Sequence, residues 1–83
     1  MAGKKIERSD LQDLVLRAIK ELGGEASLVD IAKSIWRDHE NDLKASENIF
    51  YTWQYDMRWA GLILRKAGKI VDGPKRGVWA LKD

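Results

Sequence analysis

A glycine-bounded segment near the end of the chain places the strongest constraint on the fold. Residues 69–72 and 78–81 are short runs typical of β-strands. Between them lies Gly-Pro-Lys-Arg-Gly, residues 73–77, rich in turn-forming residues and carrying two basic side chains at its tip. The pattern predicts a β-hairpin with a five-residue loop, so the upstream elements must pack against a two-stranded ribbon.

A first amphipathic helix is predicted from Ser9 onward. Ser9 is a favourable N-cap, and Gln12 lies three residues later, as a capping box requires. Apolar residues then recur with helical period, which predicts one buried face. The glycine pair 23–24 is expected to end the helix, since glycine readily adopts the left-handed conformation found there.

A second helix is predicted after a short extended link at Ala26 and Ser27. Ser27 with Asp30 forms another capping pattern, and apolar residues again recur on one side. This pattern fades near His39. Residues 38–45 are polar and are expected to form a loop.

A third helix is predicted over about residues 47–66, with Gly68 ending it. Its buried stripe is expected to hold Trp53, Met57, Ala60, Leu64 and Ala67. Its polar flank is expected to hold Gln54, Arg58, Gly61 and Arg65, with Tyr51 and Tyr55 at the edges of that flank. Covering the edge of the core is slightly favoured for Tyr55 over stacking on a sugar or a flipped base, and for Tyr51 the two roles are equally favoured. Core packing is also expected for most of the four tryptophans.

Charge is distributed unevenly along the chain. The net charge is only +2, but residues 57–82 carry seven Lys or Arg and one acid, Asp72. Residues 1–56 are mildly acidic. A basic part that coincides with the third helix and the hairpin favours one face directed at a polyanion.

Composition narrows the class of protein further. With 83 residues, no Cys and one His, the chain suits a single domain without disulfides or thiolate metal sites, and we expect no metal or cofactor. Residues 1–8 are expected to be a flexible tail and residues 9–83 the domain. No apolar run is long enough for a membrane helix. The expected location is a reducing cytoplasm.

Three helices followed by a hairpin predict an α+β fold, the winged helix-turn-helix with a C-terminal β-hairpin wing. In such a fold the third helix enters the DNA major groove and the wing contacts the neighbouring backbone. Gln54 is suited to adenine and Arg58 to guanine, whereas Arg65, Lys75 and Arg76 are expected at phosphates. Further DNA-contact candidates are Ser27, Lys33, Lys44, Asn48, Tyr51 and Tyr55.

Several segments resemble the N-terminal winged-helix domain of Mrr-like restriction endonucleases. They are Arg58-Trp59-Ala60, residues 64–68 (Leu-Arg-Lys-Ala-Gly), residues 74–81 (Pro-Lys-Arg-Gly-Val-Trp-Ala-Leu) and residues 22–28 (Leu-Gly-Gly-Glu-Ala-Ser-Leu). The resemblance implies DNA binding in a restriction system and raises the hypothesis that modified DNA is sensed. The separate nuclease domain of those enzymes, with its Asp and Glu-x-Lys metal site, has no counterpart in this sequence.

The residues therefore favour a non-catalytic binder of double-stranded DNA. Two further partners are compatible with the sequence. One is a second copy of the chain in a homodimer, and the other is a separate nuclease domain or subunit. The alternative is a protein-interaction or dimerisation module without DNA binding, because fold does not fix function. Catalysis is not expected, since no nucleophile–base pair, phosphate-cradling loop or metal-ligand spacing is present in the sequence.

Overall fold

The computed structural model describes residues 5–46 and 48–82, and of Asn48 the backbone only. The described residues form three helices and a three-stranded antiparallel sheet. This is the predicted α+β arrangement, a winged helix-turn-helix with a C-terminal hairpin as its wing. In chain order the elements are α1 (Asp10–Glu21), β1 (Glu25–Ser27), α2 (Leu28–Ala45), α3 (Asn48–Lys66), β2 (Ile70–Asp72) and β3 (Val78–Leu81).

The sheet has the order β1-β3-β2, so the last strand lies in the middle. Trp79 of β3 is paired with Ala26 of β1 on one side and with Asp72 of β2 on the other. The sequence predicted the β2–β3 hairpin but only an extended link at β1. Three residues are too few to display the alternation that identifies a strand, and the pairing partner lies far away in the chain.

Helix α1 starts and ends near the predicted positions, but its N-terminus is held differently. Ser9 has helical backbone angles and its side chain makes no capping hydrogen bond. Instead, the backbone N–H of Glu7 donates to Oδ2 of Asp10, 2.9 Å away. At the other end, Gly23 and Gly24 have φ of 99° and 95°, which ends the helix as predicted.

Helix α2 is longer than the sequence predicted. Ser27 caps it as expected, its Oγ accepting the N–H of Asp30 at 3.1 Å. The loop predicted over residues 38–45 is wrong, because the helix continues to Ala45 with an interruption at His39, whose φ is −130°. Leu43 is fully buried and so anchors this second half to the core.

Helix α3 buries the predicted stripe of Trp53, Met57, Ala60 and Leu64. Ala67 does not belong to it, since it lies beyond the helix and is exposed. Of the other tryptophans, Trp79 is buried, whereas Trp36 and Trp59 are half-buried.

Residues 5–8 pack on the helices, so the folded part starts before residue 9. Ile6 is only 8% exposed, and its N–H donates to Oγ of Ser46 at 2.6 Å. The guanidinium of Arg8 lies 3.7 Å from the centre of the Trp59 ring and 3.3 Å from a carboxylate oxygen of Asp56. Of the predicted flexible tail, residues 1–4 lie outside the described residues.

Candidate nucleic-acid interface

The exposed side of α3 carries most of the predicted reading residues. Gln54, Arg58 and Arg65 are all solvent-exposed, as expected from their positions opposite the buried stripe. Gly61 was expected on the same flank but is buried, because it faces Trp79 of the wing. The flank is therefore divided, with Gln54 and Arg58 before the wing contact and Arg65 after it.

Tyr51 and Tyr55 extend this flank toward the start of α3. They are 84% and 80% exposed, so neither covers the core edge, and the preference for that role at Tyr55 was wrong. The Tyr51 ring touches only the edge of Phe50 among the ring contacts described, with centroids 5.2 Å apart. Two exposed aromatic rings one helical turn apart can stack on sugars or bases, or on apolar groups of a protein.

A cleft separates α3 from the wing, and we call it the wing cleft. Its volume is about 560 Å³, and four cationic side chains line it together with one carboxylate. Such a concentration of positive charge suits the phosphates of a nucleic acid. Its lining residues are Leu28, Arg58, Arg65, Asp72, Gly73, Pro74, Lys75, Arg76, Gly77 and Trp79.

Three contacts fix the wing to the helices. Nη1 of Arg65 is 2.7 Å from Oδ1 of Asp72, which joins α3 to β2. The N–H of Leu28 donates to the carbonyl of Gly77 at 2.9 Å, which joins the start of α2 to the wing tip. The Trp79 ring lies directly against Gly61, where only a hydrogen side chain leaves room. The wing residues are therefore held in a defined position relative to α3.

The Arg65–Asp72 ion pair also changes the expected role of Arg65. Its guanidinium is engaged in positioning the wing, whereas Arg58, Lys75 and Arg76 have no described ion-pair partner among residues 5–46 and 48–82. Sequence inspection missed this pairing because it depends on how β2 folds back on α3.

A second cleft lies in the seam between α2 and α3, and we call it the seam cleft. Its volume is about 450 Å³, and three of its six lining residues are aromatic. The rings of Trp36 and Trp53 are stacked at an angle of 13°, with centroids 6.0 Å apart. The residues that line it are Ala32, Lys33, Trp36, Phe50, Trp53 and Gln54. Sequence reasoning assigned these tryptophans to the core and missed the cleft.

The remaining predicted contact residues have mixed surroundings. Ser27 is half-buried, and its hydroxyl is occupied by capping α2. Lys33 is exposed at the rim of the seam cleft. Nζ of Lys44 is 2.7 Å from Oε2 of Glu40, so this cation is already paired. The prediction for the side chain of Asn48 lies outside the described residues.

Away from both clefts, the middle of α2 carries a polar, largely acidic surface. Arg37 donates hydrogen bonds to both carboxylate oxygens of Asp38, at 3.0 and 3.3 Å, and thereby lowers the pKa of Asp38 below its ordinary value. Within the described residues, no three His, Asp or Glu side chains are grouped so that they could hold a metal ion. Nor does any helix there have the length and apolar character needed to cross a membrane.

Comparison with known proteins adds no further information, because no protein-family model, curated protein or solved structure matches the chain. The likeness to Mrr-like N-terminal domains therefore stays a prediction from the quoted segments. The fold and the two clefts are established by the geometry of the described residues alone.

Proposed function

We propose that this domain binds double-stranded DNA without catalysing a reaction on it, with α3 in the major groove and the wing on the sugar–phosphate backbone. The observation that carries the proposal is the position of Arg58. It lies on the exposed flank of α3 and also lines the wing cleft beside Lys75 and Arg76. One surface thus combines a helix that can read bases with cations that can hold phosphates.

The test measures binding of a duplex at several salt concentrations by fluorescence anisotropy. Log affinity falls with log salt concentration, and each lost phosphate contact makes this slope shallower by about one. We expect Arg58→Ala and the double change Lys75→Ala/Arg76→Ala to weaken binding. Arg17→Ala is the matched control, because Arg17 is an exposed cation on α1, where it pairs with Asp13 at 2.9 Å.

Chemical shifts of the protein during the titration locate the surface independently. We expect them to concentrate in residues 46–58 and 73–77. If the Arg58 and wing variants bind duplex DNA like the parent, or if Arg17→Ala weakens binding equally, the interface lies elsewhere. A duplex incubated with the protein and Mg²⁺ should stay uncut, and cleavage would contradict the non-catalytic assignment.

The resemblance to Mrr-like domains supports a more specific version of this proposal. The domain would serve a restriction system in the cytoplasm, sense modified DNA, and act with a nuclease domain or subunit elsewhere. Its test compares matched methylated and unmethylated duplexes. Equal affinities would reject modification sensing and leave duplex binding intact.

A second candidate function is protein interaction or dimerisation through the same helix. It is favoured by the exposure of Tyr51, Tyr55 and Leu62, the last 42% exposed, on one side of α3. It predicts a molecular mass that rises with protein concentration, together with no salt-sensitive DNA binding. Analytical ultracentrifugation beside the anisotropy measurement separates the two functions.

A further inference from the structure

We infer that the seam cleft takes one nucleobase that has left the base stack of the bound DNA. This inference rests on the proposed function, because the duplex must first be held by α3 and the wing. It adds a site for an unpaired base beside the surface that contacts paired DNA. The proposal follows from the lining of the cleft, its place next to Gln54 and Arg58, and the energetics of unstacking.

The lining offers the groups that recognise an unpaired base. Trp36 and Phe50, both half-buried, supply aromatic surface, and the buried Trp53 stacks nearly parallel to Trp36 and holds that ring in place. The carboxamide of Gln54 both donates and accepts hydrogen bonds, as the edge of a base requires. Lys33 at the rim supplies a cation for the attached phosphate. The volume of about 450 Å³ lies within the range of small-molecule sites, roughly 300–1,000 Å³.

The two clefts follow each other along the same seam of the fold. On α2, Leu28 lines the wing cleft, and Ala32 and Trp36, four and eight residues later, line the seam cleft. On α3, Arg58 lines the wing cleft and Gln54, four residues earlier, lines the seam cleft. One helical turn is about 5.4 Å, less than two base steps of a DNA strand at roughly 3.4 Å each. A strand held at Arg58 therefore brings its neighbouring nucleotides to the opening of the seam cleft.

The energetics decide which DNA would use the cleft. A base in a matched duplex must be unpaired and unstacked first, which costs a few kcal/mol, and this cost is least for a base that is already unpaired. Stacking of the base on an aromatic side chain raises the affinity by roughly 5- to 150-fold. The cleft thus favours DNA with a bulged or mismatched base over the fully paired duplex, by about tenfold, toward the lower end of that range.

The experiment uses two duplexes of the same sequence, one fully paired and one with a single bulged 2-aminopurine. Anisotropy gives the two affinities, and the fluorescence of 2-aminopurine reports on the stacking of that base. We expect the parent to prefer the bulged duplex by about tenfold and to change the 2-aminopurine emission.

Variants then assign the preference to the cleft. Phe50→Leu removes an aromatic ring from the lining but keeps an apolar side chain, and Gln54→Ala removes the carboxamide at an exposed position. Circular dichroism confirms that each remains folded. In both, we expect the ratio of the two affinities to fall toward one. Arg17→Ala, on α1 and outside both clefts, should keep the ratio, and Arg58→Ala should weaken both duplexes together.

Three results would overturn the inference. Equal affinity of the parent for the two duplexes would reject the cleft while leaving duplex binding intact. A preference that survives in both cleft variants would place the unpaired base elsewhere, for example on the exposed ring of Tyr55. Failure to bind either duplex in a salt-sensitive manner would reject the proposed function itself and this inference with it.

Discussion

The contact between Gly61 of α3 and Trp79 of β3 gives the sharpest test of how the wing is held. A Cβ atom at position 61 would lie 2.2 Å from Cη2 of Trp79 and 2.6 Å from Cζ2 and Cζ3. Carbon atoms in contact normally lie about 3.5–4.0 Å apart. Gly61→Ala would therefore push the ring or the helix by more than about 1 Å.

The size of the effect is a balance of two opposing contributions. Overpacking in a core typically costs about 1–3 kcal/mol, and the short distances at Gly61 favour the upper end. Alanine in place of glycine within a helix stabilises the folded protein by about 1 kcal/mol, because alanine has the higher helix propensity. The net loss is about 2 kcal/mol, which lowers Tm by about 8–16 °C in a domain of this size. The wing should also shift, so DNA affinity should fall.

Thermal unfolding followed by circular dichroism measures this loss of stability. The same substitution made in a second variant then identifies its cause. In protein that already carries Trp79→Leu, the indole that would clash is gone. There, Gly61→Ala should be neutral or stabilising by up to about 1 kcal/mol, because only the helix propensity remains. A Gly61→Ala protein as stable as the parent would refute the close packing of the wing on α3.

Other substitutions test separate contacts. Asp72→Asn should change the free energy of unfolding by less than about 1 kcal/mol, because the Arg65–Asp72 ion pair is exposed. By freeing Arg65, the same change should raise the affinity for DNA and steepen the salt dependence of that affinity, as measured by anisotropy. Ser27→Ala should lower the free energy of unfolding in urea by about 1 kcal/mol, because Ser27 caps α2. Ser9→Ala removes no capping bond and should lower it by less than about 0.5 kcal/mol. Equal losses in the two variants would contradict these caps. Ser46→Ala should cost about 1–3 kcal/mol in the same assay by leaving a buried N–H without an acceptor, and an unchanged stability would mean that residues 5–8 do not pack as described.

Elements bounded by glycine or built on a long apolar stripe were predictable from the sequence. The stripe of α3, the stop at Gly23 and Gly24 and the β2–β3 hairpin are confirmed because each depends on local backbone preferences or helical period. The second half of α2 was missed, since its polar sequence hides the single buried anchor, Leu43. Strand β1 was missed because its pairing partner is distant in the chain.

The candidate site divides in the same way. The exposed flank of α3 and the basic wing tip follow from periodicity and composition, so Gln54 and Arg58 could be selected in advance. Tertiary contacts decided the rest. The engagement of Arg65 by Asp72, the burial of Gly61 and the aromatic seam cleft all depend on which elements come together, and local sequence patterns do not encode that.

The central place of β3 in the sheet has a consequence for the order of events during synthesis. Strands β1 and β2 are both paired to β3 and not to each other, and Trp79 pairs with Ala26, roughly fifty residues earlier. Until β3 has left the ribosome, a nascent chain can form helices, but neither earlier strand of the described fold has its partner. The wing and its cleft can therefore form only after β3 has emerged, later than the helices that precede it in the chain.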